Sequence, residues 1–440
     1  RSEAGNDKVS DPLKISIAGL GTVGAGVVNL LEQNADEISR RCGREILISS
    51  VSARDPKRER GVDISNFDWF EDPVSMARDP NSDVYVELIG GEDGVAKECC
   101  EVAFESGKSV VTANKALIAH NGTSLAIKAE QRNLILAYEA AVAGGIPIVK
   151  SLKEGLAGNK ITGLYGILNG TCNYILTAMR ETGREFGDIL SEAQALGYAE
   201  TDPSFDVDGV DAAHKLAILS SLAFGCPVNF GDTYIEGIRH ISALDIRFAS
   251  ELGYRIKLLG VARATEDGIV QRVHPCLVKL NSPAAYVEGV YNAVVVEGDF
   301  VGSTVYEGRG AGAGPTASAV VSDLMDIAKG INTPTFGVPA SDLVSLSAAS
   351  MDCHFSSYYI RLMVLDRPGV FADIAGVLSD EEVSMEAILQ RTRSPGESVP
   401  VVMTTHDVKE VSIKRALSRF AKYDTVVEEP RMIRVEPLTL

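Results

Sequence analysis

A short β-branched run at residues 13–20 (LKISIAGL) passes through GTVGAGV into an apolar helical start at residues 27–31, and few folds accept that passage. Gly19, Gly21 and Gly24 match GxGxxG. The first glycine permits a tight turn, the second lets backbone approach a pyrophosphate, and the third lets the helix pack on the strand. Alone the motif is weak, since a Gly-rich turn needs no ligand. Standing directly after a strand and opening a helix, it reads as a dinucleotide-binding turn, with Thr22 and Val23 between the glycines and phosphate at the helix N-terminus. Residues 45–53 (EILISSVSA), 84–89 and 109–112 supply further strands, and 96–106 a helix between them, so a doubly wound parallel (Rossmann) sheet is expected.

Three features of this first region carry chemistry. No carboxylate ends the second strand, where an NAD enzyme places one on the ribose. Arg54 and Lys57 follow it instead and can accept a 2′-phosphate, which favours NADP over NAD; Asp55 between them keeps a plain solvated turn open as the other reading. Lys115 follows the 109–112 strand at its carboxyl end, where open α/β sheets bind ligands, and is a functional candidate set against an ordinary surface lysine. Residues 139–149 (EAAVAGGIPIV) are too rich in glycine and small residues for a plain helix. Their free carbonyls bind a hard monovalent cation or face water, and the residues alone leave both open.

From about Ile146 the pattern becomes α+β. Strands are expected at 160–168, 248–253, 256–264, 269–280, 293–298 and 304–307, with NGTCNYIL a turn into a helix and a second helix at 186–195. Between them, residues 197–218 concentrate Glu200, Asp202, Asp206 and Asp208 in a turn-rich run before an apolar helix. Asp211 and Lys215 share one helix face, and for an arbitrary pair the bland reading is an exposed ion pair worth about 0.3–0.5 kcal/mol. GRGAGAGPTASAV at 308–320 is a Gly-rich loop feeding a helix, without the GK[ST] of a P-loop. A linker rich in Pro, Ser and Ala at 333–351 precedes a βαββα order with a last strand near 432–435.

At 440 residues, roughly 150 per domain predicts two to four domains. A charge of -18 speaks against nucleic acid, and no apolar run reaches the roughly 18 residues of a membrane span. Seven cysteines without CxxC spacing fit a reducing compartment, and six histidines show no metal-ligand spacing. Residues 1–12 read as a flexible lead-in without a signal or transit peptide, so a cytoplasmic protein is expected.

GLGTVG, VVTANKAL, EAAVAGGIPI, ILNGTCNYI, GYAETDP, DGVDAAHKLAIL and GRGAGAGPTASAV occur in this order, and through them the chain resembles homoserine dehydrogenase over nearly its whole length. The tail from about Ser356 resembles an ACT regulatory domain of βαββαβ order. The resemblance implies a dinucleotide domain at 1–145, a catalytic and dimerisation domain at 146–332 whose helix 315–330 returns to the first, a linker at 333–355 and the ACT domain at 356–440. It implies NAD(P)-dependent interconversion of L-homoserine and L-aspartate 4-semialdehyde, with Lys215 as proton donor, Glu200, Asp211 and Asp206 holding substrate, and Lys115 beside cofactor and substrate. Gly197 and Gly312 fall on backbone contacts to the cofactor, and the carbonyls of Glu139, Val142, Gly144 and Ile146 on a sodium site. Asp366 and Gly369, in the DRPGV turn, fall on an effector site for which threonine is the expected ligand, and a homodimer or homotetramer is expected. GGEDGVA at 90–96 departs from the family, many members of which carry proline before the alanine. Two competing readings are an aspartate-semialdehyde dehydrogenase acting through Cys172, and a cofactor-sensing regulatory protein without turnover.

Overall fold

The computed structural model describes residues 11–391 and 396–438, so most of the lead-in at 1–12 lies outside the described residues. The chain divides into two compact units, each assembled from three stretches: 1–168, 211–233 and 291–346 in one, 169–210, 234–290 and 347–440 in the other.

In the first unit six parallel strands run in the spatial order Asp68–Phe70, Ile46–Ser52, Leu13–Ala18, Val84–Glu87, Ser109–Thr112, Leu136–Ala137. Val84–Glu87 is buried at every position, the mark of a parallel strand covered by helices on both faces. The helix Thr22–Gln33 packs on the helix Ala313–Ala328, and Ala317, Val320, Val321 and Leu324 of the latter join Ile15, Ile17, Val27 and Leu31 in one core. Gly26 makes that approach feasible, because a Cβ there would stand 2.8 Å from the Ala313 carbonyl oxygen. An antiparallel set of Ile161–Ile167, Tyr291–Gly298 and Gly302–Arg309 belongs to the same unit. So does most of the helix Val210–Phe224, in which every residue from Asp211 to Leu222 is buried. A helix enclosed all round has no solvent face, and its Asp and Lys must find partners inside.

In the second unit Tyr254–Thr265 and Gly268–Lys279 form an antiparallel hairpin. The tail has the order Tyr358–Leu365, Val370–Asp380, Met385–Leu389, Ser398–Thr405, Glu410–Phe420, Arg431–Glu436, strand–helix–strand–strand–helix–strand. Its last strand lies between two others, antiparallel to Tyr358–Leu365 and parallel to Gly268–Lys279. The sheet of the tail is thereby continuous with the hairpin. Alternation along Tyr358–Leu365 turns Tyr358, Ile360, Leu362 and Val364 toward the tail's own helices. The opposite face carries Arg361 and Tyr359, which donate at 2.7 and 3.0 Å to the buried carboxylate of Asp245.

One expectation fails outright. Residues 248–253 are not a strand; they end the helix Ala243–Glu251, which Ser242 and Asp245 start with a reciprocal capping box. The apolar residues misled because the [ST]xx[DE] signal just upstream outweighs a short β-prone run.

Arg434, fully buried on the last strand, donates two bonds of 2.7 and 2.8 Å to Glu410, one of 2.8 Å to Glu236, and one of 3.1 Å to the Tyr234 hydroxyl. Burial raises the Glu236 carboxyl, but His240 and Arg434 outweigh it and bring the group down to about 2. Its folded value lies below the ordinary ~4.3 of a glutamate, so its contribution is complete above that pH and is lost as pH falls toward 2. Arg434→Met takes the shared guanidinium from two carboxylates, leaving Glu236 with His240 and Glu410 with Lys414, and is expected to cost about 3 kcal/mol at pH 7. Urea unfolding at pH 7 and pH 3 checks this: the gap from the parent protein should narrow at the lower pH, and a gap that stays constant would remove the ionic account.

Candidate active site

The glycine turn is built as the motif requires. Gly19 sits at φ +102° with its Cα against the Leu88 carbonyl, where a Cβ would come within 2.3 Å, and a Cβ on Gly24 would stand 2.1 Å from the Gly19 carbonyl. Gly21 faces open space, and as N-cap of Thr22–Gln33 it has no side chain to cap the first N–H groups, Thr22 and Val23 being the first helical residues. The turn opens on a cleft of about 620 Å³ that Ser52, Ala53, Arg54, Arg58 and Arg60 also line. No Asp or Glu ends the second strand; Ser52 is its last residue. Lys57 lies outside the lining of this cleft, its N–H bonded to the Asp55 carboxylate, and sequence reasoning missed Arg58 and Arg60. Arg60 is taken up by the carbonyls of Leu20, Arg58 and Asp55, so it braces the loop. Arg54 and Arg58 remain as donors for an anionic dinucleotide, in a cleft that Asp55, Glu71 and Asp93 also line.

Lys115 is placed by a relay of buried polar groups rather than by a loop. Glu87, fully buried at the end of its strand, accepts from the N–H groups of Ile89 and Gly90 and from the Thr112 hydroxyl at 2.6 Å. Thr112 in turn accepts from the Asn114 N–H, and the Asn114 side chain caps the helix Lys115–Glu130 by accepting from Leu117. Lys115 is the first residue of that helix and points its ammonium at Asp211 Oδ1, 3.0 Å away. Lys215 donates to Asp211 Oδ2 at 2.8 Å and to the Leu168 carbonyl at 2.8 Å. One carboxylate, 3% exposed, thus holds two ammonium groups. The bland reading of a solvated i,i+4 pair fails on burial alone.

The two Gly-rich stretches meet each other. Gly144, at φ +51° and preceded by Ala143 at φ +55°, packs on Gly310 so closely that a Cβ would lie 2.5 Å from the Gly310 carbonyl, and the Gly145 N–H donates to the Arg309 carbonyl. Val142 and Gly144 are buried, and among the described residues no N–H donates to their carbonyls. Those of Glu139 and Ile146 accept from Val142 and Ile148. Glu139's side chain accepts from the N–H groups of Val149 and Lys150, while burial and then Asp323 push its carboxyl up to about 7. Gly312, at φ +113°, is the N-cap of Ala313–Ala328 and supplies no capping side chain.

Lys115, Asp211 and Lys215 are brought together in the first unit; Gly197, Glu200 and Asp206 belong to the second. Gly197, at φ +77°, follows the helix Phe186–Ala195, and Glu200 is exposed with its carbonyl accepting from the Gln194 amide. Asp206 accepts from Asn169, which itself caps the helix Gly170–Thr182. Cys172 is fully buried in that helix with its thiol on the Asp206 carbonyl, which is no posture for a nucleophile. In the tail, Gly369 at φ +98° precedes Val370–Asp380, and the Asp366 backbone exchanges hydrogen bonds with Glu397 and Gly396. Sequence reasoning also missed His120 and His214 on the two lysine-bearing helices, because no spacing rule links residues 94 apart.

Three family models match: homoserine dehydrogenase, NAD binding domain, over residues 19–139; homoserine dehydrogenase over 147–325; and the ACT domain over 358–424. The chain is 47% identical over 436 residues to the homoserine dehydrogenase of Pseudomonas aeruginosa, covering 97% of this chain and 99% of that one. A crystal structure of a homoserine dehydrogenase from Thiobacillus denitrificans superposes with TM-score 0.91 at 44% identity, covering 97% and 98% of the two chains. A hyperthermophilic archaeal homoserine dehydrogenase solved in complex with NADPH matches at TM-score 0.62 and 27% identity over 76% of this chain and all of its own. A dinucleotide turn, a buried Lys–Asp–Lys cluster and relatives aligned end to end agree, and the chain belongs to the homoserine dehydrogenases, oxidoreductases that interconvert L-aspartate 4-semialdehyde and L-homoserine.

Proposed function

We propose that Lys215 gives the proton to the aldehyde oxygen during reduction and takes it back during oxidation, with Asp211 and Lys115 holding it in place. The observation that carries this reading is the pair of lysines on one buried carboxylate. The nicotinamide supplies the hydride. As negative charge grows on the substrate oxygen, a neighbouring ammonium stabilises and protonates it. An ammonium has three donors, and Lys215 directs two of them at Asp211 and Leu168, which leaves one for substrate. Both oxygens of Asp211 are engaged by lysines, so its first task is to orient them. Glu200 and Asp206 then take the substrate's α-ammonium, and the backbones of Gly197 and Gly312 meet the cofactor. The buried carbonyls of Val142 and Gly144, with Glu139 and Ile146, suit sodium, which would stiffen the loop packed on Gly310.

NADP is the preferred cofactor in this reading, because no carboxylate ends the second strand and Arg54 and Arg58 line the cleft, where they stand beside Asp55, Glu71 and Asp93. The tail binds threonine at the turn around Asp366 and Gly369, and copies pair as a homodimer or homotetramer. Removing the tail is a poor test of threonine control, since Gly268–Lys279 would lose its neighbouring strand and Glu236, Asp245 and Arg272 their partners.

Lys215→Met is expected to lower kcat by ~10²–10⁴ with NADPH binding within about twofold by fluorescence titration; near-normal kcat would remove Lys215 from the chemistry. Arg54→Ala should weaken NADPH by ~10–100-fold and NADH far less, the loss of a charged hydrogen bond of about 1.5–3 kcal/mol; equal losses make Arg54 a bystander. Asp366→Ala should raise the threonine concentration for half-inhibition at least ~10-fold, given couplings of about 1–3 kcal/mol. Unchanged inhibition, competitive with homoserine, would move threonine to the substrate pocket.

A further inference from the structure

His120 stands on the Lys115 helix and reaches solvent, while His214 is buried on the Asp211 helix immediately before Lys215. Their Nε2 atoms are 3.1 Å apart, with the rings edge-on at 5.1 Å between centroids and 74° between planes. Phe230 packs against both, at 4.9 and 4.3 Å. An Nε2 to Nε2 contact needs one proton: one ring donates and the other accepts. Burial first, and then the facing His120, bring His214 down to about 4, with Asp211 opposing and Lys115 and Lys215 assisting. His214 is therefore neutral, the tautomer decides which ring donates, and the Glu92 carboxylate lies 3.3 Å from the same His120 nitrogen. A second tie runs between the two stretches, from the Val228 N–H to the Thr123 hydroxyl at 3.1 Å.

We propose that the His120–His214 hydrogen bond is a positioning tie for the reaction: it fixes the helix that begins with Lys115 against the helix that carries Asp211 and Lys215, and so sets the geometry of the Lys–Asp–Lys cluster. This rests on the reading of Lys215 as proton donor. Lys115 and Asp211 lie on separate helices, so their 3.0 Å contact is only as constant as the spacing between those helices. A displacement of about 1 Å at a reacting group can cost on the order of 10²-fold in rate. The tie lies beside the chemistry without touching substrate, and its loss should appear in the chemical step rather than in binding.

The test uses the full-length enzyme, with His120→Phe, His214→Phe, the double variant and His214→Gln, beside Lys215→Met. Steady-state kcat and KM are measured with L-homoserine and with L-homoserine deuterated at C4. Each Phe variant should lose about 10–100-fold in kcat with KM for the cofactor within about twofold, and the deuterium effect on kcat should rise as chemistry becomes limiting. The double variant should be no worse than the poorer single one, since both remove the same bond. Gln offers an amide near the lost Nε2, so His214→Gln should recover most of the rate. Losses that multiply in the double variant, an unchanged isotope effect, or a Gln variant as poor as the Phe variant would overturn the tie. Should a Phe variant fail to fold, the Gln variant alone decides: kcat within about threefold of the parent supports the tie, and a larger loss defeats it. A normal Lys215→Met would instead refute the proton-donor reading, whatever the histidine variants do.

Discussion

Asp211 is the residue on which the site depends. A carboxylate taken out of water is tolerable only with partners, and Asp211 has two, Lys115 from the end of the parallel sheet and Lys215 one turn along its own helix. Two cations on one anion leave the cluster with a net positive charge, the sign required where an aldehyde oxygen becomes an alkoxide. Close charges at an effective dielectric near 20 interact by about 4 kcal/mol. Neither lysine therefore leaves readily, yet Lys215 engages only two of its three donors with Asp211 and Leu168, and the proposed proton transfer uses the third.

Much of the first unit serves to deliver these groups. Glu87, Thr112 and Asn114 form a line of buried hydrogen bonds that starts the Lys115 helix at a fixed place. The Val210–Phe224 helix is apolar enough to be enclosed, which brings Asp211 and Lys215 inside with it. Close backbone approach does the rest: Gly144 lies on Gly310 and Gly26 under Ala313, contacts that any side chain would prevent. In the second unit a comparable device joins the tail to the hairpin, with Arg434 inserted between Glu410 and Glu236. The last strand of the tail is thereby part of the same sheet as Gly268–Lys279.

The sequence made the nucleotide turn legible because glycine spacing reports backbone sterics directly, and it made the Asp211–Lys215 pair legible because helix periodicity reports faces. Lys115 could be suspected from its place after a strand, but its contact with Asp211 joins residues 96 apart in the chain, and only packing reveals it. The same holds for His120 with His214. Local rules failed where a cap outweighed composition, as at Ser242 and Asp245; the neighbour of Lys57, Arg58, is the one that lines the cleft. The parallel insertion of Arg431–Glu436 beside Gly268–Lys279 had no local signal, since strand order in a sheet is a property of the whole chain.

If one buried carboxylate organises both lysines, Asp211→Asn should disorganise them. Asparagine keeps the shape and removes the charge, so pre-steady-state hydride transfer, followed by NADPH absorbance, reports on organisation of the cluster alone. The transfer rate is expected to fall by ~10²–10³ with NADPH affinity within about twofold of the parent. A transfer rate within about threefold of the parent would contradict it, because the lysines would then be held by something other than Asp211.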